Sequence, residues 1–294
     1  MPLILPESHP AFRVLKDEGY DPAIEGDDPL RVAVLNLMPD KVATELDLLR
    51  MLSVPDTRVE ITWLYTTTYK PRNTDPVHLE KFYHTFTEIN KREFDGMIVT
   101  GAPVEHLEFD RVIYWEELCG MMDWAAGHVR STLYICWAAQ AVLYHRYGIG
   151  KVPLKEKLSG VYLYRACIPD HPLLRGIGDV FAVPQSRYTE IPYADVRENP
   201  ELSILASSEK GGIHLVDAPA INGICMTGHP EYNARTLARE YERDRTKGIH
   251  AKIPENYFVA DDPEGEPVYS WQAEARTFYS NWLSHCTQKG SSPA

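Results

Sequence analysis

Residues 131–140 read Ser-Thr-Leu-Tyr-Ile-Cys-Trp-Ala-Ala-Gln. The run Ser131–Cys136 predicts a buried strand, and a helical pattern follows it and ends near Gly148. Cys136 therefore stands where a strand gives way to a helix, as the nucleophile does in α/β hydrolases. A helix N-terminus beside a sulfur favours the thiolate. The glycines that often flank such turns are absent here, because Ile135 precedes the cysteine and Trp137 follows it.

The same alternation of strand and helix fills the first half of the chain. Predicted strands are Arg31–Leu37, Arg58–Tyr65 and Asp95–Thr100, and predicted helices are Lys41–Leu52, His78–Lys91 and Tyr114–Val129. This order is typical of a mostly parallel sheet with helices on both faces. The sequence therefore predicts a three-layer α/β fold.

The pattern changes after Gly150, where short strand candidates crowd together: Gly178–Val183, Leu202–Ala206, Ile213–Val216 and Ile221–Met226. They either extend the sheet or form an antiparallel flap. A charged helix is predicted from Asn233 to Lys247, with Gly248 as its left-handed cap. A last helix is predicted over Tyr269–His285. We interpret residues 1–294 as one domain with a disordered tail from about residue 287 to 294.

Composition excludes several classes of function. The 294 residues carry a net charge of −12, which argues against nucleic-acid binding. No apolar run reaches the roughly 18 residues that span a bilayer. The start of the chain, Met1–Ser8, lacks the basic segment of a secretion signal, so a cytoplasmic location is expected. The five cysteines are widely spaced and odd in number, which argues against a disulfide framework and a zinc site, and no metal is predicted.

A second segment, Thr227–Glu231, places His229 and Glu231 two residues apart, where an extended chain points both side chains the same way. It follows a strand candidate, and open α/β sheets hold their sites at the carboxyl ends of strands. With Cys136 at the end of another strand, these residues supply the parts of a covalent acyl-transfer site. The alternatives are a buried structural cysteine and a turn with a surface salt bridge.

The loop Thr100–Glu105 is a third candidate element. Gly101 allows a close approach of the backbone to a ligand. The N–H groups of Gly101 and Ala102, together with that of Trp137, are predicted to form an oxyanion hole. A loop this short is equally compatible with a simple turn.

With these residues assembled, the chain resembles the homoserine O-acyltransferases of methionine biosynthesis, which are related to class I glutamine amidotransferases. The resemblance covers roughly residues 1 to 286. The segments that carry it are Leu35–Pro39, Phe94–Pro103, Cys136–Ala138, Glu156–Tyr162, Pro184–Tyr188, Gly228–Tyr232 and Asn281–Leu283. It implies transfer of an acyl group from acyl-CoA to the hydroxyl of L-homoserine, with no cofactor beyond the CoA co-substrate.

The resemblance also assigns roles to residues. It implies that Cys136 becomes an acyl thioester, that His229 accepts protons and that Glu231 is its partner in a Cys-His-Glu triad. The positions that match substrate contacts are Lys157, Ser186 and Arg243, and Lys41 matches a further active-site contact. Without the resemblance, the two cations Lys157 and Arg243 are typical of solvated surface charges. A homodimer is compatible with the family likeness alone.

Glu105 is the residue on which the acyl donor depends. In the family, a glycine at this position goes with succinyl-CoA and a glutamate goes with acetyl-CoA. Physical chemistry agrees, because a half-buried carboxylate would repel the distal carboxylate of a succinyl group and occupy its space. The sequence therefore predicts a homoserine O-acetyltransferase with a ping-pong mechanism and with acetyl-CoA as co-substrate.

Four alternatives stay open at this point. The enzyme could use succinyl-CoA, or it could acetylate L-serine, since one methylene discriminates the acceptors weakly. It could be a glutamine amidotransferase or another cysteine hydrolase with the same triad. A non-catalytic binding module is the fourth alternative, although such a module is expected to have lost the nucleophile or the base.

Overall fold

The fold is described from a computed structural model, which describes residues 3–55, 57–69, 71, 73–249 and 251–287. Residues 288–294, which make up nearly all of the predicted disordered tail, lie outside the described residues. Thr287 is the last residue of a helix. The part of the chain that is described contains no helix long and apolar enough to cross a membrane.

Within the described residues, eleven strands form one sheet. They are β1 Leu3–Ile4, β2 Leu30–Leu35, β3 Val59–Leu64, β4 Tyr83–His84, β5 Phe94–Val99, β6 Val129–Ile135, β7 Val152–Ala166, β8 Val180–Glu190, β9 Ser203–Ser208, β10 Gly212–Ala218 and β11 Gly223–Met226. The helices are α1 Pro10–Asp17, α2 Lys41–Leu52, α3 Pro76–Phe82, α4 Phe86–Ile89, α5 Trp115–His128, α6 Trp137–Tyr147, α7 Tyr193–Glu198, α8 Thr236–Thr246 and α9 Gln272–Thr287. Short 3₁₀ turns lie at Phe109–Arg111, Pro172–Leu174, Pro219–Ile221 and Val259–Asp261.

The strand order is β1-β3-β2-β5-β6-β11-β10-β9-β7-β8, with β4 paired to β3. Every pairing from β1 to β11 across β6 is parallel. The remaining pairings, β11 with β10, β10 with β9, β9 with β7 and β7 with β8, are antiparallel. The predicted α/β fold with a mostly parallel sheet is therefore confirmed, and the crowded strands after Gly150 extend the sheet.

Alternating side chains of the parallel strands enter two separate cores. In β2, Val32 and Val34 belong to one apolar cluster, whereas Ala33 and Leu35 belong to the other. In β6, Tyr134 faces the cluster opposite to that of its neighbours. Because successive residues of a strand point to opposite faces, this division shows that both faces of the sheet are buried under helices.

Most of the predicted elements agree with the structure to within a few residues. Helix α2 has the predicted bounds, Lys41–Leu52. Gly248 follows α8 with φ of +70°, as expected of its cap, although α8 begins at Thr236 rather than Asn233. These agreements concern elements whose hydrophobic period or capping residue is plain in the sequence.

The single helix predicted over His78–Lys91 is wrong. Helix α3 ends at Phe82, and the next two residues form β4, in which Tyr83 pairs with Trp63 of β3. Helix α4 then starts anew, because Thr85 and Glu88 form a capping box. The buried hydroxyl of Tyr83 donates to Glu45, a tertiary contact that the helical period cannot reveal.

The sequence analysis also missed α1 and the long strand β7. Helix α1 begins after His9, whose ring nitrogen accepts the backbone N–H of Ala11. Strand β7 forms ten Cα pairs with β8 and has a register shift between Pro153 and Leu158. Its first half is polar and only partly buried, so the strand lacks the apolar run by which the other strands were predicted.

Candidate active site

Cys136 occupies a strained turn at the end of β6. Its backbone has φ of +53° and ψ of −112°, a conformation that non-glycine residues rarely adopt. The turn is held from both sides: the N–H of Cys136 donates to Met226 O (2.6 Å), and its carbonyl accepts the N–H of Ala139 (3.1 Å). Helix α6 starts at the next residue, so Cys136 is its N-cap. The thiol thus lies at a helix N-terminus, where a negative charge is favoured.

Gly101 lies directly beside Cys136, where a side chain larger than hydrogen would crowd the thiol. A Cβ at this position would lie 3.2 Å from Cys136 Cβ and 3.8 Å from its Sγ. The backbone after β5 therefore packs directly against the turn at Cys136. Because of this contact, the loop that contains Gly101 and Ala102 lies close to the start of α6. Trp137 is the first residue of that helix, so its N–H has no acceptor within the helix. Their role as an oxyanion hole stays a prediction.

His229 and Glu231 form a buried pair in the loop after β11. His229 Nδ1 lies 2.7 Å from Glu231 Oε1, and the two residues are 4% and 6% exposed. Tyr232 stacks on the imidazole at 4.3 Å between ring centroids. The backbone N–H of His229 donates to Pro184 O of β8. The ring is therefore fixed in position by a carboxylate, an aromatic face and the sheet.

The electrostatics of His229 connect it to Cys136. Burial alone would lower the pKa of the imidazole, but the charge of Glu231, which is hydrogen-bonded to the ring, and the nearby Cys136 outweigh it. The net result is a pKa well above its ordinary value. A thiol, an imidazole and a carboxylate are thus grouped at the ends of neighbouring strands, and their roles as nucleophile, base and orienting group stay a prediction.

A cavity of about 670 Å³ opens beside this group, and we call it the catalytic cavity. His229 and Glu231 line the cavity, and so do Gly101 and Ile135, which lie next to Cys136. The cavity is large enough for an amino acid and leaves room beyond it. Helix α8 forms another wall, with a charged face that begins at Arg239 and ends at Lys247.

The predicted substrate contacts Lys157, Ser186 and Arg243 converge on two acidic residues of α8. Lys157 Nζ lies 2.9 Å from Asp244 Oδ2 and 3.7 Å from Glu240 Oε2. Ser186 Oγ donates to Glu240, and Arg243 pairs with Asp244 at 2.9 Å. Lys157 and Arg243 both line the catalytic cavity. The structure therefore groups these residues at one site, while their binding of substrate stays a prediction.

Glu105 lies at the edge of the same site. Its carboxylate accepts the backbone N–H of Tyr188 at 3.4 Å. Burial raises the pKa of Glu105, against the opposing effects of Tyr188, His106, Lys157 and His229. The side chain is therefore partly desolvated and lies near Lys157 and His229, and its contact with a bound acyl group stays a prediction.

Lys41 lies apart from these residues. Its Nζ donates to Asn36 O, and the side chain is buried over the ring of Tyr83. Burial lowers the pKa of Lys41 to about 8, although Glu45 opposes the shift. The side chain lines a second cavity of about 370 Å³, which shares Met38 with the catalytic cavity. Contact between Lys41 and substrate stays a prediction.

One cluster of side chains has the composition of a metal site. The potential ligand atoms of His9, Glu45 and His78 lie within 4.8 Å of one another, and all three residues are buried. His78 Nε2 lies 2.8 Å from Glu45, and His9 Nε2 lies 3.5 Å from it. Nδ1 of His9 accepts the N–H of Ala11, so its proton is on Nε2, whereas a metal ligand needs the reverse tautomer. The cluster fits a carboxylate held by hydrogen-bond donors better than a metal ion.

Sequence analysis missed the acidic half of the site. Glu240 accepts hydrogen bonds from Ser186 and Tyr232, and Asp244 pairs with Lys157. The signal was available in the helix: residues 240, 243, 244 and 247 follow the i, i+3, i+4, i+7 spacing that puts them on one face. The helix was interpreted only as charged, and of this face only Arg243 was singled out.

Known proteins resemble this chain in fold and in sequence. A glutamine amidotransferase structure from Thermotoga maritima is similar with a TM-score of 0.55 at 14% identity, over 87% of this chain and 96% of that one, which shows the fold alone. A homoserine O-acetyltransferase of Acetivibrio thermocellus is 46% identical over 291 residues, 97% of this chain and 95% of the relative. One of Thermotoga petrophila is 48% identical over 292 residues, 97% and 96% of the two chains. The family model described as homoserine O-succinyltransferase matches residues 2–292, and the chain belongs to that family.

Proposed function

We propose that this protein is a homoserine O-acetyltransferase that acts through an acyl thioester on Cys136. The observation that carries the proposal is the strained turn of Cys136 at a helix N-terminus, together with the buried His229–Glu231 pair after the neighbouring strand β11. Curated relatives that cover nearly the whole chain are named homoserine O-acetyltransferase, which supports the same reaction. We place the reaction in methionine biosynthesis and expect two substrates, L-homoserine and acetyl-CoA.

The first half-reaction acylates the enzyme. The thiolate of Cys136 attacks the thioester carbon of acetyl-CoA, while the thiol proton resides on His229. Backbone N–H groups of Gly101, Ala102 and Trp137 stabilise the oxyanion. The C–S bond to CoA then breaks, and the CoA sulfur leaves with the proton of His229. The products of this step are the acetyl-Cys136 thioester and free CoA.

The second half-reaction transfers the acetyl group. The hydroxyl of homoserine gives its proton to His229, and its oxygen attacks the thioester carbon. Collapse of the intermediate breaks the bond to Cys136 and releases O-acetylhomoserine. The Cys136 thiolate and the protonated imidazole are restored together. Glu231 keeps the Nδ1 proton of His229 in place, so that the other ring nitrogen serves both steps.

Recognition of homoserine requires opposite charges for its carboxylate and its ammonium group. Arg243 is 51% exposed on its side chain, and its planar guanidinium suits a carboxylate. Glu240 offers a carboxylate that Ser186 and Tyr232 already orient. We assign the substrate carboxylate to Arg243 and Lys157, and the ammonium group to Glu240. L-Serine would satisfy the same charges, so it stays an alternative acceptor.

The acyl donor follows from Glu105. Its carboxylate lies in a partly buried environment beside Tyr188, where a succinyl group would bring a second negative charge. Repulsion of the two carboxylates favours the uncharged acetyl group. The description of the matching family names succinyl transfer, so succinyl-CoA is the competing donor. The fold is also that of a glutamine amidotransferase, which keeps thioester hydrolysis as a further outcome.

The test is CoA release by the purified protein with L-homoserine and either acetyl-CoA or succinyl-CoA. We expect release with acetyl-CoA, and an acetylated protein by mass spectrometry when homoserine is omitted. Cys136→Ala should abolish both signals, whereas Cys167→Ala, which removes an exposed cysteine, should retain them. Glu105→Gly should shift the preference towards succinyl-CoA. Full turnover by Cys136→Ala would refute the mechanism, and release with succinyl-CoA alone would refute the role of Glu105.

A further inference from the structure

The second cavity adjoins the catalytic cavity but differs from it in composition. The two cavities share Met38, Pro39, Asn73 and Pro103, so they are separated only by these side chains. The second cavity has a volume of about 370 Å³ and is lined largely by apolar side chains, among them Val104, Leu107 and Tyr114. It therefore leads from the loop that contains Gly101 towards a different part of the surface.

The charges of the two cavities are opposed. The walls of the catalytic cavity carry five carboxylates against four cations, a formal net charge of −1: Asp40, Asp47, Glu231, Glu240 and Asp244, and Lys157, Arg239, Arg243 and Lys247. Among the described residues that line the second cavity there is no aspartate or glutamate, while Lys41 and Arg111 are both present. In a chain with a net charge of −12, such a surface is unusual. An anionic ligand is therefore better accommodated in the second cavity.

The rim of the second cavity is apolar and exposed. Ile113 is 74% exposed and Leu107 is 45% exposed, and both residues line the cavity. The side chain of Arg111 lies at the same rim with 78% exposure and only a long contact of 4.0 Å to Asp110. The interior of the cavity is apolar, and an exposed cation lies at its rim. A ligand with an uncharged, flexible chain would match the interior, and phosphates at the end of that chain would match Arg111.

We propose that the second cavity holds the pantetheine arm of the acyl-CoA donor, with the CoA phosphates near Arg111 at its rim. This inference rests on the proposed function. The thioester would pass the boundary at Met38 and Pro103 and reach Cys136, while homoserine occupies the catalytic cavity beside Glu240. Donor and acceptor then approach the thiol from separate cavities, and the carboxylates that bind the acceptor do not repel the phosphates of the donor.

The experiment compares two donors: acetyl-CoA and the short thioester S-acetyl-N-acetylcysteamine, which lacks the nucleotide and most of the arm. Leu107→Trp fills the cavity, and Arg111→Glu reverses the charge at its rim. Each variant should lower kcat/KM with acetyl-CoA by about tenfold or more, the size expected for one lost interaction with a charged or well-packed group. Activity with the short thioester should stay within about twofold of wild type, because that donor does not reach the rim.

Two matched variants serve as controls. Leu163→Trp enlarges an exposed apolar residue on β7, away from both cavities, and should leave both donors unaffected. Lys247→Glu makes the same charge reversal at the wall of the catalytic cavity. A larger loss with acetyl-CoA in Lys247→Glu than in Arg111→Glu would overturn the proposal, since the phosphates would then lie at α8. Equal losses with both donors in Leu107→Trp, or no loss with acetyl-CoA, would overturn it as well.

Binding of CoA itself separates this proposal from the proposed function. Calorimetric titration of CoA into the wild-type protein and into Leu107→Trp and Arg111→Glu does not require turnover. If the wild type binds CoA and both variants bind it at least about tenfold more weakly, the second cavity is supported even where transfer to homoserine fails. Equal affinity of wild type and variants for CoA would refute the cavity while leaving the acetyltransferase reaction intact.

Discussion

Replacement of Glu231 by glutamine should lower kcat strongly while the protein stays folded. The glutamine has nearly the same shape, so its amide can still contact Nδ1 of His229. The carboxylate charge, however, is lost from a pair that is 2.7 Å apart and almost fully buried. Burial then lowers the pKa of the imidazole with less opposition, because Glu231 is the largest influence that raises it. The neutral amide also permits the wrong tautomer of the ring.

The magnitude follows from the charge that is removed. Two unit charges about 4 Å apart at an effective dielectric constant of about 20 attract each other by about 4 kcal/mol. This attraction stabilises the protonated His229 that accompanies the thiolate in the first half-reaction and that the second half-reaction forms. Since about 1.4 kcal/mol corresponds to a factor of ten in rate, the loss of kcat should be about a thousandfold. The free energy of unfolding should change less than this, because Glu231 Oε2 is buried without a hydrogen-bond partner in the described residues and the cost of burying the charge offsets part of the attraction.

The assay is steady-state CoA release at saturating L-homoserine and acetyl-CoA, paired with thermal denaturation of each variant. Glu231→Asp is the matched variant, because it restores the charge at a greater distance and should recover part of the lost rate. The KM for homoserine should stay near that of the wild type, since Glu231 orients the base and does not bind the acceptor. A kcat for Glu231→Gln within about tenfold of wild type would refute the electrostatic reasoning.

Three further perturbations test other parts of the site. Gly101→Ala places a methyl group 3.2 Å from Cys136 Cβ and 3.8 Å from Sγ, so kcat should fall by about tenfold or more at unchanged thermal stability; an unchanged kcat would contradict the close packing. Glu240→Gln should raise the KM for homoserine by about tenfold and leave that for acetyl-CoA unchanged, and an effect on acetyl-CoA alone would reverse the assignment. Burial lowers the pKa of Lys41 to about 8 from an ordinary 10.5, so between these pH values the unfolded chain binds more protons and the stability of the wild type rises with pH. Urea unfolding of Lys41→Met should lack this rise; the same slope in both proteins would refute it.

Local patterns were sufficient to predict the parallel half of the fold. Strands β2, β5 and β6 are short apolar runs, and helix α2 repeats its leucines at helical spacing, so burial on both faces is evident in the residues themselves. The boundaries fail where a tertiary contact competes with the local period. Tyr83 is the clearest case, because pairing with β3 and the hydrogen bond to Glu45 break a segment that reads as one helix.

The geometry of the candidate site could be predicted from the sequence only in part. His229 and Glu231 are two residues apart, so their pairing follows from extended geometry. The strain at Cys136 depends on its hydrogen bond to Met226, which lies 90 positions further along the chain and cannot be deduced from the turn alone. The place of Glu240 in the site depends on its hydrogen bond with Ser186 of β8, a tertiary contact that the sequence of α8 does not reveal.

The candidate site contains residues from both the parallel and the antiparallel half of the sheet. Cys136, Gly101 and His229 each follow a parallel strand, whereas Lys157 and Ser186 belong to antiparallel strands. The two halves meet where the N–H of His229 donates to Pro184 O.

Gly228 makes this junction tight. A Cβ at this position would lie 2.5 Å from Val183 and 2.6 Å from Gln185. His229 and strand β8 therefore cannot move apart or together without a clash or a broken hydrogen bond. Changes of acceptor specificity should consequently come from side chains on β7, β8 and α8 rather than from shifts of the β8 backbone, because a backbone shift would displace His229 from Cys136 and lower kcat with every acceptor.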